Sequence, residues 1–183
     1  MENNLLPETM TFSLKKSLEI LERTPVVLSA MLNGIDQDWT SNNEGENTWS
    51  PFDIVGHLIH GEKTDWVPRI KIVLSNDENK TFEPFDRFAQ MISSKGKSMN
   101  MLLDEFTVLR KENTRFLKSK SYDEQILDRT GIHPHLGTVT LRQLLSAWVV
   151  HDLSHIAQIG RVMAKQYKSE VGPWSEYLSI LDQ

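Results

Sequence analysis

No cysteine occurs in the 183 residues. Disulfides, thiolate zinc sites and a cysteine nucleophile are therefore excluded. Basic residues are the minority, 20 Lys and Arg against 25 Asp and Glu, giving a formal net charge of −5. A nucleic-acid partner calls for a basic face, and no basic cluster with interleaved aromatics supplies one. No apolar run approaches the ~18 residues needed to cross a bilayer. Residues 1–10 are polar, carry Glu2 and Glu8, and lack the basic and apolar regions of a signal peptide, so a cytoplasmic protein is expected. Several signatures are missing too. No Glu is followed by His three residues later, which removes the usual di-iron bundle pattern. There is no His-Glu-x-x-His, no Gly-x-Ser-x-Gly and no phosphate-binding glycine loop. No segment alternates convincingly enough to be a strand, and there is no internal repeat.

What is present is a globular composition, 39% hydrophobic and 25% charged, in a length that fits one domain over residues 1–183. After a loose lead-in over 1–11, residues 12–23 place Leu14, Leu18, Ile20 and Leu21 at helical spacing. Thr24-Pro25 reads as a cap with proline at the first helical position, starting a second segment over 26–34. Residues 36–48 read as a loop. Ser50-Pro51 is another cap-plus-proline start, followed by a long helix over 52–74 that Pro68 should kink or break. Residues 75–96 read as irregular with a turn of helix at 85–92.

A third long helix is expected over 98–118, with Met101, Leu102, Phe106, Leu109 and Phe116 facing inward. Residues 122–138 read as a linker. Thr140 caps a fourth helix over 141–167, Gly172-Pro173 ends that region, and 174–181 form a short final helix. Four long helices with surface connections predict an all-α, antiparallel four-helix bundle.

The fourth helix carries the chemistry. At 100° per residue, Leu141, Leu144, Trp148, His151, His155, Ile159 and Val162 fall in one stripe, apolar apart from its two histidines, with Asp152 at its edge. Side chains four apart are neighbours on a helix face, so both imidazoles can bind one ion. An i, i+4 pair is not rare among six histidines, so the weight falls on the apolar face it occupies. A buried imidazole pair must be satisfied by something. A third ligand is available from His57 or His60 in the second long helix, and spacing does not choose between them. His133 and His135 flank Pro134 in the linker, where they could line a cavity mouth. Glu62 and Asp152 are the acids placed to orient ligating histidines, with His60 and His133 as further cavity residues. The other side of the same helix holds Val149, Val150, Leu153, Ala157, Gly160 and Ala164, an apolar face for a second copy of the chain or for the segment 174–181.

Three blocks of sequence then resemble a known family. Trp49-Ser50-Pro51-Phe52-Asp53-Ile54-Val55-Gly56-His57-Leu58, ending in Glu62, resembles the first block of the DinB-like superfamily of DNA-damage-inducible four-helix proteins. His133-Pro134, Leu136-Gly137-Thr138-Val139-Thr140-Leu141-Arg142-Gln143-Leu144-Leu145 and His151-Asp152-Leu153-Ser154-His155-Ile156-Ala157-Gln158-Ile159 resemble the second, and Val171-Gly172-Pro173-Trp174 with Tyr177-Leu178 the tail of one subgroup. The resemblance spans residues 49–178. It implies a metal triad of one histidine from the second helix and two from the fourth, which selects His57 over His60 and joins it to His151 and His155. It also implies one divalent ion (Zn, Ni or Fe), a homodimer, and in some relatives a low-molecular-weight thiol such as bacillithiol or mycothiol.

Three imidazoles on one ion leave at least one position for water or substrate. Two classes of protein follow. One is a metal-dependent enzyme, a thiol S-transferase or hydrolase acting on a small molecule. The other is a non-catalytic metal- or ligand-binding stress-response protein.

Overall fold

The computed structural model describes residues 10–182. The expected lead-in lies outside the described residues apart from Met10 and Thr11, which have no regular structure. Eight helices and one hairpin follow: α1 (Leu14–Leu32), α2 (Gln37–Ser41), α3 (Pro51–Thr64), α4 (Trp66–Leu74), α5 (Gln90–Ser93), α6 (Met99–Lys118), α7 (Glu124–Leu127), β1 (Thr130–His133), β2 (Gly137–Thr140) and α8 (Leu141–Lys165). Two short 3₁₀ turns, Gly172–Tyr177 and Ser179–Leu181, close the chain. Among the described residues no helix is long and apolar enough to cross a membrane.

The four-helix bundle is formed by α1, α3 with its continuation α4, α6 and α8. Helices α1 and α3 each pack against both α6 and α8 and so occupy opposite corners. The pairs α1/α6 and α3–α4/α8 run antiparallel. The long connection after α4 carries the chain back along the bundle, so that α6 starts beside the start of α3.

The strongest local signals hold. Ser50 and Asp53 form a reciprocal capping box at the start of α3, with Pro51 in its first turn. Thr140 and Gln143 do the same for α8. Two prolines behave differently from the sequence expectation. Thr24-Pro25 starts nothing: α1 runs through it unbroken. A mid-helix proline cannot donate to the carbonyl four residues back. Here that carbonyl, Leu21 O, is taken instead by Arg110 Nη1 of α6 at 2.8 Å. The second break falls at Asp65, three residues before Pro68. Interrupting the helix there puts Pro68 in the first turn of α4, where its missing N–H costs nothing.

Four further expectations are corrected. The 36–48 loop contains the short helix α2, capped by Asp36. The helical turn placed at 85–92 is confined to α5. The 122–138 linker contains α7 and an antiparallel hairpin pairing Thr130 with Thr140 and His133 with Gly137. The hairpin is held from outside itself. Phe82 N–H donates to Ile132 O, and Ile132 N–H donates to Lys80 O, both at 2.9 Å. Gly131 is required there, since a Cβ would lie 2.4 Å from the Phe82 ring. In α6 the fully buried residues are Leu102, Leu103, Phe106, Arg110, Thr114 and Leu117; Leu109 and Phe116 pack half-buried against the core as expected, while Met101 is exposed.

Two apolar clusters fill the bundle. One gathers Leu21, Trp66, Ile70, Leu117, Leu141 and Trp148; the other Leu28, Ile54, Leu58, Phe106, Ile159 and Val162. In every long helix the gap between them holds buried polar residues: Thr24 in α1, His57 and Glu62 in α3, Arg110 in α6, Asp152 in α8. Arg110 bonds Glu62 Oε1 through Nε (3.1 Å) and Nη2 (2.7 Å), and Asp152 Oδ1 through Nη2 (2.9 Å). Its Nη1 also contacts Asp152 Oδ2. Thr24 donates to Asp152 Oδ2 at 2.7 Å, and Asn113 Nδ2 donates to Glu62 Oε2 at 2.9 Å. Burial alone would lower the Arg110 pKa, but the two carboxylates outweigh it and hold it above its ordinary value. Burial pushes the Glu62 carboxyl up, opposed by Arg110.

Removing one partner of such a buried cluster leaves charge uncompensated, at a cost of roughly 3–5 kcal/mol. Arg110→Met should therefore lose about that much stability in urea melts, and Lys118→Met, on the exposed ion pair with Glu22, should lose less than about 1 kcal/mol.

Candidate metal centre

The polar layer opens on one side of the bundle, and there the three histidines meet. His151 and His155 lie one turn apart on the buried stripe of α8. His57 faces them from α3, because Pro51 and the capping box fix where that helix begins. Their Nε2 atoms converge: His57 to His151 is 3.2 Å, and His155 to His151 is 3.1 Å. One ring nitrogen from each lies within 4.8 Å of the other two.

The rings are held neutral. Burial, then the nearby His155, His60 and Arg87, pull the His57 pKa down to about 3. Burial, then His155, His57 and Arg110, do the same at His151, also to about 3. Burial lowers His155 as well, opposed by Gln158 and Asp152. His155 Nδ1 lies 2.8 Å from Gln158 Oε1, an acceptor, so Nδ1 carries the proton and Nε2 presents its lone pair. The Nδ1 atoms of His57 and His151 are buried and have no partner among the described residues. Three Nε2 atoms gathered at one point, two of them on rings whose Nδ1 is also buried, form a donor set that a cation would satisfy. A divalent ion on Nε2 therefore fits these residues, and Gln158 orients one of the rings.

The other candidates fall in different places. Asp152 and Glu62 do not bond the triad rings; both grip Arg110 and act on the site by fixing α8 against α3 and α6. His60 packs on Phe85 at 4.8 Å and neighbours Thr64, away from the convergence point. His133 reaches the cavity beside the triad, carried there by the hairpin. His135 stays outside it, against His133.

That cavity measures about 330 Å³ and its walls are mostly residues that the sequence did not single out. Trp49 tilts over His57 at 4.7 Å, Phe85 meets the same ring edge-on at 5.4 Å, and Trp66 meets His151 at 5.1 Å. Asp65 and Arg69 form a largely buried ion pair with 2.5 Å between Nε and Oδ1. Burial raises the Asp65 pKa against the pull of Arg69. Arg87 completes the rim. The only sequence signals for this wall were the aromatic content around the first block and the break that Pro68 forces, which turns Asp65 and Trp66 inward.

Comparison with known proteins agrees with this geometry. A family model described as the DinB superfamily matches residues 20–159. No curated protein matches the chain. Among solved structures, YfiT from Bacillus subtilis, described as a probable metal-dependent hydrolase with an unusual four-helix bundle topology, superposes with a TM-score of 0.72 at 20% identity, covering 88% of this chain and 93% of that one. The match over most of its length, carrying the triad and the bundle, places this chain in the DinB superfamily.

Proposed function

We propose that His57, His151 and His155 hold one divalent ion of the zinc, nickel or iron kind, and that the chain is a metal-dependent hydrolase of a small molecule. The observation that carries this reading is the convergence of three imidazole Nε2 atoms beside an open cavity. Among the described residues no fourth His, Asp or Glu joins the cluster. Structural zinc sites are normally closed by four protein ligands, so three ligands beside a cavity favour turnover over storage. The fold shared with a probable metal-dependent hydrolase points the same way.

When bound, such an ion acidifies coordinated water toward neutral pH. The chain supplies the rest. Trp49, Phe85 and Trp66 shield the imidazoles from bulk water. Asp65, its carboxyl raised by burial and held by Arg69, is placed on the cavity wall to take up and return a proton. Thiol transfer is the other chemistry for this site. With no cysteine in the chain, its nucleophile has to arrive as a small thiol.

The chain also has a surface suited to a homodimer. Val150 and Leu153, on the outer side of α8, are 64% and 46% exposed. Light scattering should give twice the chain mass for the wild type and a shift toward monomer for Leu153→Arg. A monomeric wild type removes this surface from the proposal.

The metal reading has a direct test. His57→Ala, His151→Ala and His155→Ala should each lose the one equivalent of zinc that elemental analysis finds in the wild type, and His60→Ala should keep it. Hydrolysis of p-nitrophenyl esters should follow zinc content across the same set. Consumption of bacillithiol with a halo-aromatic, without ester hydrolysis, would replace the hydrolase reading with transfer.

The low pKa values give a second test. His57 and His151 stay neutral down to about pH 3, so no proton has to leave them when metal binds at pH 5.5. Calorimetry in buffers of different ionisation enthalpy should show no more than one proton released per zinc at that pH, the one that His155 can carry. Release of two or more protons would mean the imidazoles are ordinary solvated ones.

A further inference from the structure

The triad cavity has a neighbour. Asp65, Trp66, Arg69 and His133 also line a second cavity of about 480 Å³, so the two adjoin beside the hairpin. The second cavity has a different character. Phe82, Leu136, Val139, Leu144 and Ala147 give it apolar walls. An extended molecule lying across the junction would meet the triad at one end and hydrocarbon at the other.

The polar end is cationic and rich in donors. Arg87 has no ion pair among the described residues; its guanidinium rests on the rings of Trp49 (5.6 Å) and Phe88 (5.3 Å). His133 Nδ1 accepts the backbone N–H groups of His135 (3.1 Å) and Leu136 (3.2 Å), which leaves Nε2 as an N–H donor. The nearby carboxylates are already engaged. Glu62 and Asp152 bind Arg110, Asp65 binds Arg69, and Asp86 caps the N–H of Phe88. The imidazoles add no negative charge to offset an ion. Arg87 thus brings the rim a positive charge that has no ion-pair partner among the described residues, with Asp86 as the nearby carboxylate that no cation neutralises there.

We propose that this bipartite site takes a small amphipathic carboxylate: the anionic group at the Arg87 and His133 end, beside the triad, and an apolar chain of about six to eight carbons under the hairpin. The specificity rests on the metal reading for part of its charge, but Arg87, His133 and the apolar trough stand without it.

Trp49 and Trp66 in the cavity wall make tryptophan fluorescence the readout, in zinc-loaded and in metal-free protein. Butyrate, hexanoate and octanoate should bind with roughly fourfold gain per methylene. Octanoate should bind well ahead of octanol and octylamine. Arg87→Ala should weaken octanoate about fivefold and leave octanol unchanged. Leu136→Asp, at a position 73% exposed where folding is not at stake, should flatten the chain-length dependence. Absence of saturable octanoate binding, equal binding of octanol, or an Arg87→Ala variant indistinguishable from wild type overturns the proposal. A protein that takes up one zinc but shows no such preference loses this inference and keeps the metal site. One that takes up no zinc yet binds octanoate through Arg87 does the reverse.

Discussion

All four long helices meet at the Arg110 guanidinium. It binds Glu62 of α3, Asp152 of α8 and the Leu21 carbonyl of α1, from its own place on α6. Thr24 closes the ring from α1. A cluster of this kind gains little over well-packed hydrocarbon in net stability, because desolvation consumes most of the Coulomb energy. What it does well is fix register. A helix that slipped by one residue would leave a carboxylate or a guanidinium buried without its partner. Since Asp152 adjoins His151, and Glu62 lies five residues beyond His57, the register that satisfies Arg110 also brings the three imidazoles together.

This explains why parts of the fold were legible in the sequence and parts were not. Long helices with caps at Ser50 and Thr140 announce themselves, because their causes are local. Pro25 misleads because its cause is remote: the carbonyl it orphans finds a donor on another helix, 89 positions away in sequence. The hairpin escapes for a similar reason. Four-residue strands rich in glycine and threonine carry little pattern of their own, and these exist because Phe82 and Lys80 supply the neighbouring bonds. Asp65 shows a subtler case, where the proline signal is right about a break and wrong by three residues about its place.

The site divides along the same line. His151 and His155 were readable from periodicity, since an apolar stripe says which way a helix faces. His57 needed the family resemblance, because nothing local separates it from His60; in three dimensions the difference is plain, with one ring facing α8 and the other packed on Phe85. Glu62 and Asp152 were singled out as acids that orient the histidines, and they do matter to the site, but through Arg110. Arg110 carries no signal of its own in the sequence, since a charged residue in a helix ordinarily faces water. Gln158 lies three residues after His155, a spacing that makes the two neighbours on α8, and that spacing was its signal. The cavity wall of Trp49, Phe85 and Arg87 comes from segments that only the tertiary fold brings to one place.

The central claim is that one ion sits on three imidazole nitrogens with a position left open. X-ray absorption at the zinc edge on the zinc-loaded protein tests it most directly. Three imidazole nitrogens near ~2.0–2.1 Å, with at least one further light scatterer from outside the chain, is the expected first shell. A shell closed by four protein ligands, or one holding fewer than three imidazoles, would contradict it.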